Sequence, residues 1–163
     1  MKQNTIHFRA RDRWSVADLY RFFLALNVLY NRLYVFHFYF KKDFEALQSS
    51  LINSLNYIEY DDELKIDKII MESPANISLD GVGEIIKQLR EIAKDITYRN
   101  RIEKEMLLTE LLNKQVDLMK NAGFSDDEIK EVISKFFAPI NRLKKQIDKN
   151  HVNLIERRED KDK

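Results

Sequence analysis

The chain has 163 residues, of which 34% are charged and 44% apolar, and its formal net charge is only +1. This length fits one domain with its own core, and the scarcity of turn residues, three glycines and two prolines, is typical of long helices rather than sheets. Because there is no cysteine, disulfides, thiolate nucleophiles and cysteine-ligated zinc are excluded, and a cytoplasmic protein is expected.

The first element is predicted at residues 5–11, TIHFRAR, where apolar and polar side chains alternate as they do in a strand. Ser15 then begins a helix as its N-cap, with Asp18 three residues later. Twelve of the eighteen aromatic residues precede residue 45, so we expect this helix to form the centre of the core. The segment VFHFYF at 35–40 favours a strand, which leaves the end of the helix open.

The most apolar stretch, residues 22–40, approaches the length of a membrane span but contains polar residues, among them Arg32. An arginine near the middle of a bilayer costs at least ~2.5 kcal/mol on insertion scales. The amino terminus also lacks the apolar segment and cleavage site of a signal peptide. We therefore expect a soluble helix here and no membrane span.

Further along, a second helical run covers residues 44–58, and residues 63–72 alternate as a second strand. Pro74 would end this strand, because proline has no amide donor and restricts the residue before it. The next residues, NISLDGVGE, are interpreted as the entrance to a helix, with Ser78 or Asp80 as its cap.

From residue 84 to residue 121 no glycine or proline interrupts the helical pattern, which would make a helix ~57 Å long. A compact domain of this size has a radius of gyration of only ~15 Å, so the helix is predicted to project as an arm. Gly123 would end it, and Ser125 with Glu128 would cap another helix that returns antiparallel. The arm would span roughly residues 100–148.

Charge is segregated along the chain. Residues 1–42 carry eight basic and two acidic residues, whereas residues 43–80 carry two and nine, so their net charges are +6 and −7. Residues 81–150 and 151–163 are close to neutral, at +2 and 0. The first two segments are therefore electrically complementary, which favours contacts between them.

Three arginines alternate near the start of the chain, and this row supports two interpretations. It could bind phosphates or an acidic partner, or it could lie across a sheet from Glu63 and Asp67, whose alternation matches. The segment charges favour pairing within the chain. A nucleic-acid-associated protein remains the alternative, and its contacts would be Arg9, Arg11, Arg13, Trp14, Arg99 and Arg101. Arg99 and Arg101 are otherwise explained as surface ion pairs with acids four residues later.

No catalytic or metal-binding motif is visible. The three histidines are scattered, and the acidic cluster at residues 61–63 lacks the repeat of a calcium loop. The glycine pair at 81 and 83 lacks a P-loop lysine, and Asp80 would repel phosphate. The sequence therefore predicts no metal and no cofactor, and an enzyme with carboxylates assembled in space is kept as a further alternative.

A short strand, an aromatic helix beginning SVADL, a second strand ending ESP and a long helix together resemble certain small bacterial modules. In these, a strand-helix-strand unit ending in Ser-Pro precedes a long helix or membrane segment, and they are accessory or signalling parts of conflict systems. The resemblance covers at most residues 5–95 and implies interaction or self-association, with no catalytic residues to carry over. The matching residues are Ser15, Ala17, Asp18, Leu19, Glu72, Ser73 and Pro74.

Together these patterns predict a mainly helical α+β protein in one compact unit: a strand-helix-strand part (1–80), a long antiparallel helical hairpin (81–150) and a charged tail (151–163). A two-stranded sheet is marginal alone, so we expect a homodimer or higher oligomer. The leading functional interpretation is a non-enzymatic protein-protein interaction and oligomerisation module, an accessory part of a bacterial defence or signalling system. The residues expected to contact a partner are Ala122, Gly123 and Phe124, at the tip of the arm. Whether the aromatic helix is buried within one chain or between two is left open.

Overall fold

The structure, a computed structural model, describes residues 5–10, 14–70, 75–98 and 112–154. Within these ranges it is an α+β fold of five helices and a four-stranded antiparallel sheet, so the predicted fold class is confirmed. The strands are β1 Thr5–Ala10, β2 Lys65–Ile70, β3 Ala75–Asp80 and β4 Val152–Leu154. The helices are α1 Val16–Phe38, α2 Phe44–Ile52, α3 Gly83–Tyr98, α4 at residues 112–121 and α5 Asp126–Lys149, with 3-10 turns at Ser54–Tyr57 and Tyr60–Asp62.

The sheet has the order β2-β3-β1-β4, and two of its strands were missed by the sequence analysis. The interpretation of NISLDGVGE as a helix entrance is wrong, because β3 runs to Asp80 and α3 begins only at Gly83. The signal was present: in β3 the apolar residues Ala75, Ile77 and Leu79 alternate with polar ones and are buried.

The predicted pairing of Arg9 with Glu63 or Asp67 is also wrong, because β3 lies between β1 and β2. Arg9 Nε instead donates a hydrogen bond to Asn76 Oδ1 of β3 at 3.1 Å. Asp67 Oδ2 accepts one from the Ser78 hydroxyl of the same strand at 2.9 Å. Both hydrogen bonds therefore involve β3, the strand that the sequence analysis did not predict.

Helix α1 forms the centre of the core, and it is buried by elements of its own chain over most of its length. It begins as predicted, with the Ser15 side chain accepting a hydrogen bond from the Asp18 amide, and it continues through VFHFYF to Phe38. Near its start, Phe22 meets Phe8 of β1 and Trp14 edge to face, with ring centroids 5.2 and 4.9 Å apart. These contacts fix α1 on the face of the sheet that carries Phe8.

Helices α1 and α5 pack antiparallel and are joined at both ends. At the start of α1, both Asp18 carboxylate oxygens accept hydrogen bonds from Lys149 Nζ, at 2.9 and 3.0 Å. Towards its other end, Phe36 lies edge to face against Phe136, with centroids 5.6 Å apart. The start of α1 therefore lies beside the end of α5, and the two helices run in opposite directions.

The turn between α4 and α5 is the one the sequence predicted. Gly123 has a φ of 90°, its amide donates to the Lys120 carbonyl, and the Phe124 amide donates to the Met119 carbonyl. This is a Schellman closure, in which glycine takes the left-handed conformation. Ser125 and Glu128 then form the predicted capping box at the start of α5.

The predicted uninterrupted, projecting helix over residues 84–121 is wrong. Glu84 of α3 and Leu118 of α4 line the same cavity, whereas in a straight helix they would be about 50 Å apart. Helix α4 therefore lies beside the first half of α3 and does not extend it. Residues 99–111, where the expected arm begins, fall outside the described ranges.

An arginine compensates for the proline inside α5. Pro139 has no amide hydrogen, so the Lys135 carbonyl lacks its usual donor four residues later. Arg32 Nη1 of α1 donates to this carbonyl. Burial, and to a smaller extent the nearby Arg142, lower the pKa of Arg32. This hydrogen bond therefore couples α1 to α5 at the point where the helix ladder is interrupted.

We expect Arg32→Met to lower the free energy of unfolding by about 1–2 kcal/mol in urea denaturation, because it leaves a carbonyl without a donor. In a Pro139→Ala background the loss should be smaller, since residue 139 then supplies an amide. Arg142→Met is the control, because it removes a nearby charge without removing that hydrogen bond. Equal losses from Arg32→Met in both backgrounds would show that Pro139 and Arg32 are not coupled.

The Asp18–Lys149 pair predicts a pH dependence of stability. Hydrogen bonds from Lys149 and then from Ser15 hold the pKa of Asp18 below its ordinary value of 3.8. A lowered pKa in the folded state stabilises the fold above about pH 4, and this contribution is lost as the pH falls through the lowered value.

Lys149→Met should therefore be less stable than the parent at pH 7, and the difference should shrink as the pH is lowered from about 5 towards 2. Thermal unfolding followed by circular dichroism over this range measures it. Lys145→Met, on the exposed side of α5, should show a small difference without this trend. A Lys149→Met deficit that stays constant with pH would contradict the assignment.

Candidate functional site

A polar cleft with a volume of about 760 Å³ lies where β3 ends and α3 begins. Its other wall is the turn that precedes β2. The lining side chains are mostly charged: Asp61, Asp62, Glu63, Asp80 and Glu84, with Lys65, Lys87 and Arg90. Sequence reasoning had treated these segments separately, and the tertiary structure brings them together.

Two tyrosines of α1 hold the walls of this cleft. Tyr30 Oη donates to the Asp62 carbonyl at 2.7 Å and accepts from the Val82 amide at 2.8 Å, and Tyr34 Oη donates to Asp62 Oδ2 at 2.5 Å. Burial raises the pKa of Tyr30 to about 12, and burial followed by the Asp62 hydrogen bond raises that of Tyr34 further. Both hydroxyls therefore stay protonated at neutral pH and act as structural donors.

Gly81 is required at this position by the close approach of Tyr30. A Cβ atom at residue 81 would lie 2.8 Å from Tyr30 Oη and 2.9 Å from its Cε2 atom. Packing against Tyr30 therefore explains the glycine at residue 81, and a phosphate-binding role is not needed to explain it.

The cleft's charged groups largely serve the fold. Lys65 forms an ion pair with Asp61 at 3.8 Å and lies over the Tyr60 ring, and Arg90 Nη2 donates to the Thr5 carbonyl at 2.7 Å. Over the described ranges no group of three or more histidine or acidic side chains could hold a metal ion. We therefore interpret the cleft as the junction that joins the turn before β2 to α1 and α3.

The residues predicted to contact nucleic acid are not gathered into one site by the described part of the chain. Arg9 is exposed and bonded to Asn76, and Trp14 is half-buried against Phe22. The other four, Arg11, Arg13, Arg99 and Arg101, fall outside the described ranges. Nucleic-acid binding stays a prediction.

Residues 122–124, predicted to contact a partner, form the turn between α4 and α5. Gly123 is exposed, but Phe124 is buried, with its ring 6.2 Å from that of Phe40 and 6.1 Å from that of Phe44. The Phe124 ring thus belongs to the core, and a partner at this turn would meet the backbone and Gly123.

An apolar surface that sequence reasoning missed lies on the edge strand β2. Ile66 and Ile69 are 57% and 36% exposed, although Leu79 and Ile77, their partners on β3, are buried. Within the described ranges, the helices cover the inner face of the sheet at β3 but leave the same face of β2 uncovered.

A bulge in β2 decides which side chains occupy that face. Ile66 pairs with Leu79 and Ile69 with Ile77, because the register shifts at Asp67. The regular alternation predicted for residues 63–72 would place Ile66 and Ile70 on one face, and the bulge separates them. The sequence KIDKII has isoleucine spacings of both three and four, and only the spacing of three indicates the bulge.

The exposed side of α1 carries further apolar side chains. Val16, Tyr20 and Leu24 recur every four residues and are 87%, 64% and 41% exposed. The contact of Phe22 with Phe8 places this half of α1 over the end of the sheet where Phe8 pairs with Ile77 and Ile77 with Ile69. We call these five residues, Val16, Tyr20, Leu24, Ile66 and Ile69, the edge surface.

We expect Gly81→Ala to lower the free energy of unfolding by about 1–3 kcal/mol, because the new methyl group must displace Tyr30. Tyr30→Phe removes the nearest atom, so the double variant should lose less than the sum of the single variants. Tyr60→Phe, at an exposed tyrosine, controls for loss of a hydroxyl. Strict additivity in urea unfolding would show that the residues are not in contact.

Comparison with known proteins adds no relative from which a function could be transferred: no protein-family model, no curated protein and no solved structure matches the chain. In the described ranges, no helix has both the length and the apolar character needed to cross a membrane.

Proposed function

We propose that this protein is a non-enzymatic interaction module that forms a homodimer through the edge surface, with β2 pairing antiparallel to β2 of a second copy. The observation that carries the proposal is the uncovered inner face of β2. Its isoleucines face the same way as the core residues of β3, yet they remain in contact with solvent. A second copy placed there would bury them and extend the sheet.

The sequence of β2 is self-complementary in one register. If the two-fold axis passes between residues 67 and 68, Ile66 lies opposite Ile69 of the second copy, and Asp67 lies opposite its Lys68. In a continuous sheet, opposed side chains must share a face, and an unbulged strand would place residues 66 and 69 on opposite faces. The bulge at Asp67 removes that conflict.

Lys68 and the bulge at Asp67 also disfavour pairing of β2 with unrelated strands. Lysines and bulges on edge strands commonly prevent pairing with unrelated strands. Here, Lys68 would meet an acid only in a partner that presents one opposite it, as a second copy does. Such an opposite-charge pair contributes roughly 0.2–1 kcal/mol, and the symmetry supplies two of them. Tyr20 and its neighbours on α1 would add apolar contact beside the sheet.

The wider role belongs to the same proposal. A protein-binding module that assembles with itself and with another protein fits the accessory role in a bacterial defence or signalling system that the resemblance implies. We place it in the cytoplasm, in keeping with a chain that contains no cysteine.

Light scattering on a sizing column at two salt concentrations tests the proposal. The parent should have the mass of a dimer, and a variant carrying Ile66→Lys and Ile69→Lys should be a monomer, because four buried lysines would lack partners. Ile52→Lys, at an isoleucine of α2 that is at least as exposed as Ile66 and Ile69, is the control and should remain a dimer. A parent that is monomeric at both salt concentrations would overturn the proposal.

Charge exchange tests the register. Asp67→Lys and Lys68→Asp each place like charges opposite one another, and each should weaken the dimer about tenfold. The double variant, and an equimolar mixture of the two single variants, should recover dimerisation, because opposite charges again face each other. If the single variants weaken association but neither combination restores it, residues 67 and 68 are not opposed and the register is wrong.

A further inference from the structure

A second cavity, apart from the edge surface, has the features of a ligand site. It lies between α1, α3 and α4 and has a volume of about 430 Å³, within the usual range for sites that bind small molecules. We propose that it binds a small amphipathic carboxylate that carries an N–H or O–H donor. This inference does not depend on the proposed dimer.

The floor of the cavity is apolar. Leu33 and Phe36 of α1 are buried beneath it, and Phe40 and Leu118 complete its wall. Leu118 is 43% exposed although it lies beside this floor. An aromatic ring or branched alkyl group placed here would cover apolar surface that now faces solvent.

One polar atom in the wall requires a donor. Gln115 is 8% exposed, and its Oε1 atom is buried with no hydrogen-bond partner among the residues that the structure describes. Buried amide oxygens are nearly always hydrogen-bonded, so an oxygen of this kind beside a cavity favours a ligand that brings a hydrogen-bond donor. A ligand N–H or O–H reaching Gln115 would satisfy it.

The charges at the rim favour an anion. Lys87 of α3 and Lys114 of α4 form no ion pair with the described residues. Of the two acids at the rim, Glu91 is already paired with Lys94 at 3.2 Å, and Glu84 lies in the first turn of α3, where the helix dipole favours it. A carboxylate at the cavity mouth would therefore face two lysines that have no ion-pair partner within the described ranges.

Three related probes separate these contributions: indole-3-acetate, which has ring, N–H and carboxylate; its amide, which lacks the charge; and benzofuran-3-acetate, which lacks the N–H. In calorimetric titration of the full chain, indole-3-acetate should bind at least tenfold more tightly than either of the others. No saturable binding, or equal binding of all three, would overturn the proposal.

Variants then locate the site. Gln115→Leu should weaken indole-3-acetate at least tenfold and abolish its advantage over benzofuran-3-acetate, and Lys87→Met with Lys114→Met should abolish its advantage over the amide. Gln48→Leu is the matched control, because Gln48 also has a buried unpaired amide atom but lies on α2, outside this cavity. Circular dichroism confirms folding of each variant. Binding that survives Gln115→Leu and the lysine substitutions unchanged would place the probe elsewhere and overturn the assignment.

Discussion

The fold depends on the burial of α1, whose side chains are apolar on nearly every side. A helix of this kind must be enclosed, and α5, the sheet, α3 and the turn before β2 each cover part of it. Contacts at both of its ends fix it in place: Phe22 against the sheet at the beginning, and Tyr30 and Tyr34 on the turn residue Asp62 farther along. The half of α1 that begins at Val16 has no cover on one side, and there the edge surface is found.

Enclosing α1 requires residues that are distant in sequence. Lys149 at the end of α5 reaches Asp18 at the start of α1, and directly afterwards β4 pairs with β1. Between them, His151 takes a positive φ of 47°, which turns the chain from the helix into the strand. The last described residues therefore complete a sheet that the first ones begin, and a chain lacking either would expose both the sheet and α1.

Polar groups in this protein divide into those that serve the fold and those that remain unexplained by it. The charged cleft belongs to the first group, because Asp62 and Arg90 hold backbone segments together there. Arg32 belongs to it as well, since it replaces the hydrogen bond that Pro139 removes. Gln115 and Lys68 belong to the second group: Gln115 supports the proposed ligand site, and Lys68, which would face Asp67 of a second copy, supports the register of the proposed dimer.

Local sequence determined the parts of the protein whose physics is local. The cap at Ser15, the capping box at Ser125 and the left-handed Gly123 each depend on residues within four positions, and helical spacing alone identified α1 and α5. The fold class followed from these and from the alternation that predicted the strands at residues 5–11 and 63–72. The alternation of β3 was also visible in the sequence. Because Pro74 was interpreted as the end of the sheet structure, the strand that follows it was not predicted.

Tertiary structure decided everything that depends on a partner in space. Strand order, the bulge at Asp67 and the position of α4 beside α3 result from which surfaces bury one another, and no pattern within a single segment encodes this. Both candidate sites are of this kind. Ile69 is ordinary in sequence and becomes notable only because none of the described helices covers β2. Gln115 becomes notable only because folding buries its amide oxygen without a partner in the described part of the chain.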